Sequence, residues 1–135
     1  MDTQPVTEVP SSRPPGYVQP VWRERFPWLV QGTTGRTLDD ALFDLGLFGE
    51  ASPARAVQER WTRLRTWAGV DRAVHACQVH GAAVRWHGAG PPGLLISEPC
   101  DGHATARPGV LLTVTVADCV PVFVVDPGRR AVALL

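Results

Sequence analysis

Lysine and asparagine are absent from this sequence, and all thirteen of its basic residues are arginine. Without lysine there is no Schiff-base nucleophile and no P-loop cation, and without asparagine no Cys-His-Asn set. Cysteine is sparse. Cys77, Cys100 and Cys119 are odd in number, widely spaced and free of any C-x-x-C, so a disulfide framework is excluded and a reducing cytoplasm fits. An excess of either charge is also missing, since thirteen basic residues balance thirteen acidic ones. That removes the electrostatic case for nucleic acid or an anionic membrane as partner. No apolar run approaches the length of a membrane span, and the first twenty residues have neither the basic nor the apolar region of a secretory signal. A soluble, cytoplasmic protein is expected.

What is present is an ordinary globular composition, 44% apolar over 135 residues, enough for one domain with a real core. Five prolines within residues 1–20 predict a flexible tail there, and residues 21–135 read as the folded part. Phe26-Pro27-Trp28-Leu29-Val30 reads as a first strand, followed by a polar loop from Gly32 to Arg36. A helix is expected from Ser52 as N-cap with Pro53 at its first position. Val57, Trp61, Leu64 and Ala68 fall at helical spacing and make its apolar stripe, and Gly69 is the stop. Residues 71–86 read as a strand, on which alternation would put Gln78 and His80 on one face and Cys77 on the other. A Gly- and Pro-rich loop follows over 87–93, then a short strand at Leu94-Leu95-Ile96.

Residues 110–135, VLLTVTVADCVPVFVVDPGRRAVALL, organise the rest. Three β-branched runs are separated by Ala117-Asp118-Cys119 and by Asp126-Pro127-Gly128. Apolar on both faces, they read as strands buried on both sides of an α/β sheet. An Asp-Cys pair between such strands is out of character, because a buried carboxylate needs a partner and a strand-end thiol can face a cleft. A turn Asp beside a small core Cys is the plain structural alternative.

The Ala117-Asp118-Cys119-Val120-Pro121 segment, with Gln78-Val79-His80-Gly81 some forty residues before it, resembles the YfiH family. Its members were long labelled polyphenol oxidoreductase "laccase" domains and are now regarded as purine nucleoside-processing enzymes. The resemblance covers roughly residues 25–135. It implies a layered α/β sandwich with a buried mixed sheet, and phosphorolysis of adenosine and inosine, with adenosine deamination as a further activity. It also implies zinc bound by His80 and Cys119, with Asp118 beside them as a third catalytic residue. A second histidine, opening a His-Ala-Gly-Trp-Arg-Gly segment after the last strand, would complete the family's metal site. The chain stops one residue short of it, inside an apolar strand. The expectation is therefore a C-terminally truncated domain, close to inactive alone, with a complementing C-terminal polypeptide as a partner beside purine nucleoside and phosphate. The family's Thr-Thr-Arg turn corresponds to Thr33-Thr34-Gly35-Arg36, where a glycine intervenes. Copper-based laccase chemistry is disfavoured, since it needs many more histidines than the four present. Two other readings stay open: a hydrolase or amidase with Cys119 as nucleophile and His80 as base, and a non-catalytic fragment.

Overall fold

A computed structural model describes residues 7–12, 15–38, 41–49 and 52–135. It is a mixed α/β chain that divides into two compact units, Met1–Trp67 and Ala68–Leu135.

In the first unit, β1 (Val9–Ser12) and β2 (Pro15–Val18) pair antiparallel, with Val9 opposite Val18. The tail expected over residues 1–20 is thus partly a hairpin; residues 1–6 and 13–14 of it lie outside the described residues. Prolines here sit where strands tolerate them, in an exposed outer strand and at the first residue of β2. Helix α1 (Pro20–Arg25) follows, with proline in its first turn. It closes where the Phe26 amide donates to Trp22 O at 2.8 Å. Residues 26–30 are not the strand their apolar character predicts. Pro27 offers no amide to a ladder, the Leu29 amide turns back to Phe26 O, and the Phe26 ring instead meets Trp22 edge-on and Trp28 at a tilt.

Part of the expected polar loop pairs, as β3 (Thr33–Thr34) beside β2. A Cβ on Gly16 would lie 2.0 Å from Thr33 O, and the Gly16 φ is +156°. Gly16→Ala should therefore separate β3 from β2, read as loss of amide-exchange protection there with the second unit unaffected. Two short strands, β4 (Thr37–Leu38) and β5 (Ala41–Leu42), precede α2 (Ala54–Ala68). The helix begins one residue later than expected: the Val57 amide bonds to Pro53 O at 3.2 Å, so Pro53 takes the N-cap place expected of Ser52 and Ala54 is the first helical residue. The stripe is buried throughout: Val57 is 5% exposed, Trp61 3%, Leu64 6% and Ala68 6%. Each large member contributes roughly 1.5–3 kcal/mol of burial. Gly69, at φ +67°, ends the helix in the left-handed conformation that glycine adopts most cheaply.

The second unit holds seven strands in two sheets. They are β6 (Arg72–His75), β7 (Val84–Trp86), β8 (Gly93–Ile96), β9 (Gly102–Thr105), β10 (Val110–Leu112), β11 (Phe123–Asp126) and β12 (Ala131–Leu134). One sheet is parallel, in the order β10-β6-β8; the other is mixed, β11-β12-β9-β7, with β9 and β7 its parallel pair. Being central, β6 is covered on both faces: Ala73 and Val74 are fully buried and His75 is 2% exposed.

The three runs of residues 110–135 do not form one continuous buried set. β10 lies in one sheet and β11-β12 in the other, and 113–122 is irregular. β12 is half-buried along its length, while Val122 and Val124 are more than half or half exposed, at 52% and 50%. Apolar composition reports what a run can bury, whereas its place at the edge of a sheet decides what is covered. Among the described residues no helix is long and apolar enough to cross a membrane.

Candidate functional site

The expected strand over 71–86 breaks after His75, and this break creates the site. Residues 76–83 form a loop between β6 and β7, so strand alternation does not govern Cys77, Gln78 and His80. The loop is tied at both ends to the segment leading into β9. The Cys100 amide donates to Cys77 O, and the Asp101 and Gly102 amides both donate to Ala83 O, each at 3.2 Å. Between these ties the Asp101 carboxylate accepts three consecutive amides. Oδ1 takes Val79 at 3.0 Å and His80 at 2.8 Å, and Oδ2 takes Gly81 at 2.8 Å. The Gly81 bond foremost, aided by those of His80 and Val79, holds the Asp101 carboxyl below the ordinary carboxylate range.

His80 sits inside this cradle with φ +57°. A left-handed backbone costs a non-glycine residue roughly 1–2 kcal/mol, so the surroundings must hold it there. Its imidazole is exposed.

Gln78 connects the loop to the second motif. Its Oε1 accepts the Thr115 amide at 2.8 Å and also the Thr115 hydroxyl. Thr113 is held too, its amide at 3.1 Å and its hydroxyl at 2.8 Å from Val74 O. These bonds explain why 113–122 does not extend β10: the Thr115 amide goes to a side chain, and Pro121 has none to give. Asp118 and Cys119 therefore lie on an exposed irregular segment rather than at the end of a buried strand. Val120, beside Cys119, is 83% exposed.

The three other histidines are interior. His75 is 2% exposed, His87 7% and His103 1%. His75 Nδ1 meets the Thr113 hydroxyl at 3.0 Å. His87 Nε2 and His103 Nδ1 lie 2.9 Å apart, with Cys100 Sγ 3.8 Å from the same His103 nitrogen. Burial holds all three imidazoles below their ordinary range, and His103, further opposed by the charges of His87 and His75, is lowered to about 4. The facing His87 and His103 nitrogens share one proton, one ring donating and the other accepting, and burial favours the neutral form of both rings.

Of the predicted site residues, His80, Asp118 and Cys119 are all exposed. An imidazole and a thiol are donors of the right kind for zinc. Among the described residues, however, no group of three or more His, Cys, Asp or Glu is placed to hold a metal ion. The pair suits the metal in type and is too small to complete its site. Sequence reasoning assigned no role to Gln78 or Asp101. Gln78 stood within a quoted motif. Asp101 reads in the sequence only as part of the turn over 100–103 before Ala104-Thr105.

No curated protein and no solved structure matches the chain. The family model described as multi-copper polyphenol oxidoreductase laccase matches residues 41–135, a stretch that contains both motif loops and every strand of the second unit. The chain belongs to that family, the YfiH-type laccase-domain proteins.

Proposed function

We propose that this chain carries part of the site of a purine nucleoside phosphorylase-like enzyme, with His80 and Cys119 as zinc ligands and Asp118 orienting the site. The observation that supports this most is the Gln78 bridge: one side chain of the first motif accepts two bonds from Thr115, three residues before Asp118. A bond pair of that kind has a purpose if the two loops serve one site. In phosphorolysis a phosphate oxygen bonds to the anomeric carbon of the ribose while the glycosidic C–N bond breaks. The purine leaves with the bonding electrons and takes up a proton. The chain's own contribution is to present an exposed imidazole and thiol on two loops pinned to one framework. Zinc, when bound with a further donor, would supply charge neutralisation and acidify its water.

The copper chemistry in the family's description is less compatible with the side chains present. The chain has four histidines, and three of them are buried with partners in the interior. A zinc-ligated Cys119 also separates this reading from a cysteine hydrolase, whose thiol must be free to attack.

The test is phosphate-dependent release of adenine from adenosine, followed with zinc supplied and with imidazole added as a third donor. Little turnover is expected from the chain alone, because two protein ligands hold zinc weakly. Zinc with imidazole should raise it, and His80→Ala or Cys119→Ala should abolish the gain. Activity that needs neither residue, or that is unaffected by chelator, would defeat the proposal. Inosine appearing without phosphate would assign deamination instead.

A further inference from the structure

We propose that Asp101 is the positioning residue of this site, holding the His80 loop in the single conformation that presents the imidazole. The inference rests on the functional reading of His80 given above. Its own basis is the geometry of residues 77–83. The loop is closed at its base by three backbone bonds, from Cys100, Asp101 and Gly102 to Cys77 O and Ala83 O. Those bonds fix Asp101 itself, because it lies between Cys100 and the first residue of β9. Its carboxylate then reaches the crown of the loop and takes the amides of Val79, His80 and Gly81. No regular ladder competes for these three donors, since 76–83 is not strand.

The chemistry requires a carboxylate. Three donors need acceptor capacity on both oxygens, which an ionised carboxylate has. An amide at this position would turn an N–H group toward at least one of the amides it should accept from. A neutral, fully accepting alternative does not exist among side chains of this length. Without the carboxylate only the backbone bonds at the base of the loop oppose relaxation of the left-handed φ of His80, and the crown can adopt conformations that carry the imidazole elsewhere.

Asp101→Asn and Asp101→Ala are the variants, studied in the whole 135-residue chain by amide exchange with residue resolution. The amides of Val79, His80 and Gly81 should exchange about tenfold faster or more, whereas those of β6 and β9 keep their wild-type rates. Unchanged exchange at 79–81 would overturn the proposal. An equal acceleration throughout the second unit would also overturn it, since that marks a residue needed only for folding. A second readout uses cobalt(II), whose thiolate charge-transfer absorption reports Cys119 ligation. Added imidazole should tighten cobalt binding to the wild type, and Asp101→Asn should weaken it about tenfold without losing the absorption at saturation. If the wild type gives no such absorption, the zinc-site reading fails. Exchange at 79–81 then decides the role of Asp101 independently.

Discussion

Acidification from neutral pH to below pH 5 should strip stability from the second unit. The cause is the buried imidazole set. His75, His87 and His103 are lowered by burial, His103 from 6.5 to about 4. The unfolded chain binds protons on these rings near their ordinary value, whereas the folded chain refuses them. Between those two values the unfolded state carries more protons, so stability falls as pH falls. Full stability is present above about 6.5, and it declines until the pH reaches about 4, where folded His103 also protonates. For His103 alone this amounts to something on the order of 3 kcal/mol. Total stabilities of roughly 5–15 kcal/mol make that a large share.

Geometry makes the effect steeper at one place. The facing nitrogens of His87 and His103, 2.9 Å apart, can share one proton but cannot both donate. Protonating the accepting ring sets two N–H groups face to face, and protonating the donating ring places a charge on its other nitrogen within the interior, with Arg72 and Arg85 adding like charge at His87. Urea midpoints across pH 4 to 7, read by probes in the second unit, check this. His103→Gln keeps a polar side chain there and removes the titration, so its midpoint should depend on pH much less. A variant with the full wild-type slope would show that the titration lies elsewhere.

Trp61→Ala should be the most damaging substitution in the first unit, costing about 3–5 kcal/mol. Trp61 is the least exposed member of the α2 stripe, at 3%, and the largest. Its indole N–H also donates to Leu45 O at 2.9 Å, so the ring ties the helix to the segment before it. Truncation loses the packing and leaves that carbonyl without its donor. Trp61→Phe separates the two effects: it keeps most of the ring and loses the bond, for a cost of about 1–2 kcal/mol. Denaturant unfolding followed through exchange of the α2 amides gives both values. Equal costs for the two variants would place the energy in the hydrogen bond rather than in packing.

The contrast between α2 and residues 110–135 shows where sequence reading succeeds. A helical stripe is a local property: spacing of 3.6 residues puts Val57, Trp61, Leu64 and Ala68 on one face whatever lies opposite. Proline at the start and a left-handed glycine at the end are equally local, so α2 was legible almost to the residue. Turn composition announced the 87–93 loop and the short β8 for the same reason. Burial of 110–135 is not local. The same apolar pattern serves a central strand and an edge strand, and only the sheet order shows that β10 and β11 lie at edges.

By itself the sequence determined the class of fold, the helix and its limits, the family, and the two motifs in which site residues had to be sought. Residue type and spacing suffice for those. What only the tertiary structure decided is how the motifs are held. The strand reading of 71–86 failed because Val79, His80 and Gly81 give their amides to Asp101, twenty or more residues away, rather than to a neighbouring strand. Thr115 likewise gives its amide to Gln78 instead of continuing β10. Side chains that capture backbone donors across such distances leave no periodic trace along the chain, because the captured amide and the captor are brought together only by the fold.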